Sequence, residues 1–286
     1  MLYKTAAEWK AAPNRRIMLF GMSGLGKTHI SNILRASGGW FHYSVDYRIG
    51  TRYMGEHIAD NFKREAMKVP LLRELLMSDS VWIQSNITFN NLAPLSTYLG
   101  KPGDPAKGGL PWEEYLRRQE LHRAAETAAM RDTEQFIARA KALYGYDNFI
   151  CDTSGSICEI VDPHDPNDPV LTALANQVLM IWLEGSEAHT AELVKRFDAD
   201  PKPMCYQAAF LETAWSTYLG ETGDTPDTVD PDAFVRWTYA RALAHRQPLY
   251  RATAENWGLT IPADRMSKVR SAEDFTNVIA DALDQD

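Results

Sequence analysis

The chain has 286 residues, 45% apolar and 24% charged, with a net charge of −8. That is the composition of an ordinary globular protein able to bury a large core, as one large domain or two. The acidic balance argues against a nucleic-acid backbone as main partner, because a phosphate-tracking face leaves a basic excess.

Residues 1–13 predict a short helix or arm, with Tyr3, Ala6, Ala7 and Trp9 as packing residues. No apolar signal core is visible there, and no later stretch approaches a membrane span. The run Ile17-Met18-Leu19-Phe20 predicts a buried parallel strand. It enters Gly21-Met22-Ser23-Gly24-Leu25-Gly26-Lys27-Thr28, a full match to the phosphate-binding pattern G-x-x-x-x-G-K-[ST]. Glycine lets such a loop turn back and approach a phosphate, while amides of the loop and of the next helix converge on the anion. The loop and His29 are therefore candidates to hold ATP, with Lys27 on the outer phosphates and the Thr28 hydroxyl on Mg²⁺. A helix over 27–36 follows and ends at Ser37-Gly38-Gly39.

Residues 40–45 predict a second strand that delivers Asp46-Tyr47-Arg48-Ile49-Gly50. Open α/β sheets bind ligands at the C-terminal ends of strands, so Asp46 and Arg48 are candidates to meet a second substrate. Helical pattern runs over 55–77, with Ile58, Phe62, Met67, Leu71, Leu72 and Leu75 on one face and Pro70 splitting it. Residues 80–87 suit a strand or a short helix, and 100–109 is the strongest structure-breaker. Residues 111–143 read as one long helix. Pro111 and the first-turn Glu113 and Glu114 suit its start. Arg117, Arg118, Glu120, Arg123, Glu126, Arg131 and Glu134 read mostly as a solvated, ion-paired face.

Next comes Asp147-Asn148-Phe149-Ile150-Cys151-Asp152, then Thr153-Ser154-Gly155-Ser156. A strand ending in aspartate is the usual second element of a P-loop protein, which makes Asp152 the candidate Mg²⁺ residue. A polar, proline-stiffened connector over 161–169 leads to a helix over 170–176, a strand over 177–183, a helix over 187–197 and a charged segment over 198–203. Residues 231–256 predict a second long helix that Pro248 bends or breaks. A short strand over 259–262 and an amphipathic helix over 271–283, capped by Ser271, complete the chain. Cys151, Cys158 and Cys205 are odd in number and lack metal-ligand spacing, so they read as reduced thiols of a cytoplasmic protein.

Strands alternating with helices predict an α/β fold with a parallel sheet covered on both faces. In its order of features the chain resembles the P-loop small-molecule kinases of the shikimate, gluconate and nucleotide kinase group. The resemblance rests on GMSGLGKT and on Ser44-Val45-Asp46-Tyr47-Arg48-Ile49, which is similar to their Asp-x-Asp-x-x-Ile segment. It rests also on 179–196 followed by Lys202-Pro203-Met204, similar to their strand, helix and lid. The last match is His245-Arg246-Gln247-Pro248-Leu249-Tyr250, similar to their Arg-x-Pro-Leu-Tyr helix. Serine at 44 and lysine at 202 depart from the aspartate and arginine of those motifs.

The resemblance implies a single three-layer P-loop NTPase domain, with its core in about 14–49 and 146–286 and a helical substrate-cap insertion over about 50–145. It implies ATP, Mg²⁺ and transfer of the γ-phosphate to a hydroxyl of a small metabolite or nucleoside-type acceptor. Asp46 would grip the acceptor, and Arg48 or Arg52 would bind an anionic group on it. Lys202 with Arg196 would close over the transferring phosphoryl group, and Arg246 would lie near the nucleotide. A P-loop ATPase or nucleotide switch acting on a protein or RNA partner stays open. Asp152-Thr153-Ser154-Gly155 spells D-x-x-G, but no Asn-Lys-x-Asp sequence follows to read guanine.

Overall fold

The apolar runs of the sequence meet in one sheet. The computed structural model describes residues 1–285 and contains strands β1 (Arg16–Phe20), β2 (Trp40–Ser44), β3 (Asn148–Asp152), β4 (Leu179–Glu184) and β5 (Gly258–Pro262). They pair in the order β2-β3-β1-β4-β5, all parallel. Ile17 to Phe20 and Leu179 to Leu183 are buried at every position, so both faces of the central strands are covered. Parallel neighbours require crossovers, and each one here is helical. The architecture is an α/β fold, a five-stranded parallel sheet surrounded by helices.

Helix α1 (Ala6–Ala11) precedes the sheet, and α2 (Lys27–Ala36) leaves the glycine loop. Val45, expected to extend β2, instead opens α3 (Val45–Arg48), because the Ser44 hydroxyl accepts from Tyr47 N at 3.3 Å and caps the turn. A π-helical turn (Ile49–Tyr53) follows. Pro70 separates α4 (Gly55–Ala66) from α5 (Pro70–Met77) as expected. The apolar face of α5 is not covered, and Leu71 and Met77 are exposed. Residues 81–87 form neither helix nor strand, and α6 (Ala93–Leu99) comes after them.

The single helix expected over 111–143 is two, α7 (Trp112–Arg131) and α8 (Thr133–Tyr144). They meet at Asp132, whose carboxylate accepts from Arg48 Nε at 2.7 Å and from Tyr53 OH at 2.8 Å. The polar face of α7 is not generally solvated, since Arg118, Gln119, His122 and Glu126 are buried. The cause is tertiary: α3, the π-helical turn, α6 and α9 (Pro169–Ala175) all pack on α7.

Helix α10 (Glu187–Ala199) is followed by an irregular segment and α11 (Ala208–Thr222). No element was expected for α11, although its buried Leu211, Ala214, Trp215 and Tyr218 fall at helical spacing. Helix α12 (Pro231–Trp257) runs through Pro248 unbroken, held by packing on β4, β5 and α10. Helices α13 (Ala263–Met266) and α14 (Ala272–Leu283) finish the described chain. The buried apolar residues form one cluster, which takes in Met54, Ile58, Leu95, Tyr115 and Ala129 from the stretch 50–145. Among the described residues, no helix is long and apolar enough to cross a membrane.

Trp9 ties α1 to α14. It is fully buried, packs edge-on against Tyr3 and Phe275, and donates from Nε1 to Thr276 O at 2.9 Å. Trp9→Ala is expected to lower stability by about 3–5 kcal/mol, read from the midpoint of denaturant unfolding.

Candidate functional site

The buried strand β1 delivers its chain to a loop with little freedom. Gly21 has φ 125°, and a Cβ there would lie 2.8 Å from the Leu183 carbonyl oxygen. Gly26 has φ 94° and opens α2 from a left-handed conformation that other residues rarely adopt. Met22 and Leu25 anchor the loop in the core, while Ser23, Gly24 and Thr28 are exposed. Lys27 is buried and donates from Nζ to Gly21 O at 2.8 Å and Met22 O at 3.0 Å. Burial lowers its pKa, and attraction to Asp152 and Asp46 opposes that shift.

The Thr28 hydroxyl donates to Asp152 Oδ2 at 2.8 Å. Asp152 ends β3, paired with Leu19 of β1 and Ser44 of β2. A hydroxyl and a carboxylate at the start of a helix are hard oxygen donors that fit Mg²⁺. His42 Nε2 lies 3.7 Å from the same carboxylate oxygen and was not among the expected site residues. The signal for it was period two along β2, which puts His42 and Ser44 on one face. Ser44 itself is committed to capping α3. Asp46 stands on α3 with its pKa raised to about 6, chiefly by burial, then by repulsion from Asp152, with Lys27 opposing.

A cavity of about 520 Å³ opens beside the loop and Asp46, and Lys27, Thr28, His42 and Asp152 are not among the residues that line it. Met22, Ser23 and Gly24 of the loop form one end, with Asp46, Ser154 and Ser156 beside them. Arg196, Lys202 and Arg246 also line it. Arg196 and Lys202 are exposed and paired, Arg196 with Glu192 at 2.9 Å and Lys202 with Asp200 at 3.2 Å. Arg246 is buried, with Nε on Glu159 at 2.5 Å and Nη2 on Cys205 O at 2.6 Å. A shallower cleft of about 890 Å³, lined by Arg123, Arg131 and Asp162 among others, includes no residue of the glycine loop.

Arg48 and Arg52 are not brought to this cavity. Arg48 is bound to Asp132 at 2.7 Å and lies over the rings of Phe136 and Tyr53, so it fastens the α7–α8 junction. Arg52 is exposed on the π-helical turn, and His29 is exposed on α2 away from the cavity wall.

Glu126 was expected in solvent and is fully buried instead. It accepts from the hydroxyls of Ser154 and Ser156. Burial pushes its pKa up to about 7 against those two hydrogen bonds. The Tyr250 hydroxyl donates to Gly155 O, and a Cβ on Gly155 would lie 3.3 Å from Ser23 N. Glu126 and Tyr250 thus clamp the turn after β3 against the glycine loop. The position of Glu126 four residues after His122 put both on one helix face; nothing in the sequence marked that face as buried.

No family model and no curated protein matches the chain. Among solved structures, shikimate kinase from Bacteroides thetaiotaomicron is similar at 14% identity and a TM-score of 0.42, over 94% of this chain and 98% of that one.

Arg48→Ala is expected to lower stability by about 1–3 kcal/mol, because it strips the partly buried Asp132 of its charged partner. Nucleotide affinity, read by titration with a fluorescent ATP analogue, should stay at the wild-type value.

Proposed function

We propose that the chain is an ATP-dependent phosphotransferase acting on a hydroxyl of a small metabolite or nucleoside-type acceptor. The observation that carries this reading is the single cavity running from the phosphate-binding loop to Asp46. A donor phosphate on the loop and an acceptor hydroxyl on Asp46 would meet inside it. Thr28 and Asp152 would hold Mg²⁺, which when bound neutralises phosphate charge.

Phosphoryl transfer needs positioning and charge neutralisation more than a strong base. The amides of the loop and of the start of α2 would orient the phosphates. Lys27 would exchange its loop carbonyls for phosphate oxygens, and its nearness to Asp152 and Asp46 opposes the lowering of its pKa by burial. The ionised Asp46 would accept the acceptor's hydrogen bond and take its proton as the new O–P bond forms and the bond from the γ-phosphorus to the bridging oxygen breaks, releasing ADP. Arg196 and Lys202 would turn from Glu192 and Asp200 to the transferring group, and closure there would exclude water.

We assign the stretch 50–145 to the acceptor cap of a single-domain chain, with the core in about 14–49 and 146–286. Its Leu92, Leu95, Leu99 and His122 line the cavity, as do the apolar Leu193 and Phe197. Such walls favour an acceptor with an apolar face. With Arg48 held by Asp132, an anionic group on the acceptor would meet Arg196 or Lys202 instead. Buried free thiols at Cys151, Cys158 and Cys205 accord with a reducing, cytoplasmic setting.

The test is ADP release with ATP and Mg²⁺ across a panel of hydroxylated metabolites and nucleosides. Release that depends on one acceptor is expected. Turnover that no small acceptor changes, but a protein or RNA does, overturns the proposal. Lys27→Ala should lower transfer by about 10²–10³-fold. Asp46→Asn should lower it by about 10²–10⁴-fold while ATP binding persists. Since the Asp46 pKa is raised to about 6, the acceptor-saturated rate should fall as pH drops below that value and level off above it. A rate flat from pH 5 to 8 would remove Asp46 from the reaction.

A further inference from the structure

The irregular segment between α10 and α11 is fastened to α7 and α12 on both sides of one cysteine. Gln119 Nε2 donates to Met204 O at 2.9 Å, and Gln119 Oε1 accepts from Tyr206 N at 2.9 Å. Arg123 Nη1 donates to Tyr206 O at 2.8 Å, and Arg246 Nη2 donates to Cys205 O at 2.6 Å. The backbone at Cys205 is therefore fixed although no regular structure holds it. Gln119, His122, Arg123 and Glu126 share one face of α7, so that fixed segment lies against His122 and Glu126.

The Cys205 sulfur, a ring nitrogen of His122 and a carboxylate oxygen of Glu126 all lie within 4.8 Å of one another, and all three residues are buried. His122 Nδ1 has no hydrogen-bond partner among the described residues. An apolar core gives no reason to desolvate that nitrogen beside a thiol and a carboxylate.

We propose that His122, Glu126 and Cys205 bind one Zn²⁺ ion. A thiolate, an imidazole and a carboxylate form a mixed donor set that suits zinc; Mg²⁺ and Ca²⁺ take oxygen alone. One thiolate and one carboxylate balance a divalent charge in a buried place. The neighbouring cations are already met, Arg246 by Glu159 and Arg123 by Glu120. The Ser154 and Ser156 hydroxyls each donate to one oxygen of the Glu126 carboxylate and orient it, as outer-shell partners do around a metal-bound carboxylate, and each oxygen keeps a further lone pair. Tetrahedral zinc sets its ligand atoms about 3.5 Å apart, so binding draws this cluster in by about 1 Å. His122 and Cys205 both line the 520 Å³ cavity, which leaves the fourth position facing it. The ion would tie α7 to the segment that carries Lys202, and the site does not depend on the phosphotransferase reading.

The test uses the untagged full-length chain, grown with added zinc and purified without chelator. Elemental analysis should find about one zinc per chain in the wild type, and less than about a tenth of that in Cys205→Ser and in His122→Ala. Cobalt substituted into the wild type should show a thiolate-to-metal charge-transfer band that Cys205→Ser lacks. Wild-type protein with less than about a tenth of a zinc per chain and no such cobalt band overturns the proposal. So does zinc retained in both variants. Should the variants not fold, the wild-type zinc content and cobalt spectrum decide.

Discussion

The parallel register of β1 with β3 is the constraint on which the site depends. It sets Asp152 beside Leu19, one residue short of the strand end that opens the glycine loop, and opposite Ser44 of β2. A slip of one residue would turn Asp152 into the other face of the sheet, since side chains alternate along a strand. The register is held by the buried apolar residues of β1 and β4 on both faces, where such a slip would exchange every contact. Fixed in this way, Asp152 meets Thr28 from α2 and has His42 beside it on β2. One helix and two strands thereby meet at one carboxylate.

Around that point the site gathers more negative charge than free positive charge. Asp46 and Asp152 repel each other, and Lys27 attracts both from beneath the loop. Low local polarisability strengthens each of these interactions. The result is a lysine whose pKa burial lowers against the pull of two carboxylates, and an aspartate whose pKa is raised to about 6. Glu126 and Glu159 lie deeper and play a different part. Each is buried with its own partners, serine hydroxyls for Glu126 and the Arg246 guanidinium for Glu159, and each fastens a turn or segment to the rest of the chain.

What the sequence made legible follows from how local each signal was. The glycine loop is eight consecutive residues with its own chemistry, and the strand runs beside it are continuous and apolar. Loop, strands and the Pro70 break could be read from short windows. The roles of Arg48 and of the α7 face could not. Arg48 is claimed by Asp132, 84 residues away, and nothing near Arg48 announces that partner. The α7 residues Arg118, His122 and Glu126 carry the composition of a solvated face. They are buried because four other elements pack around the helix, and a periodicity argument sees only the helix itself. His42 was half legible, since alternation aligned it with Ser44 without revealing that Asp152 lies next to both.

The way charges are partnered also separates what can move from what cannot. Lys202 and Asp200 form an ion pair exposed to solvent, of a kind that contributes about 0–1 kcal/mol. Arg196 and Glu192 are alike in this respect. Exchanging those partners for phosphate oxygens carries little penalty. Arg246 is the opposite case, because removing it from Glu159 would leave a buried carboxylate without its charged partner, a loss of about 3–5 kcal/mol. Met204 to Tyr206 is likewise held at its backbone by Gln119, Arg123 and Arg246. Inward motion of Lys202 is therefore confined to the short stretch between the end of α10 at Ala199 and Met204. The cations free to follow a phosphate stand at the rim of the cavity, and the cation that holds the fold stands beneath it.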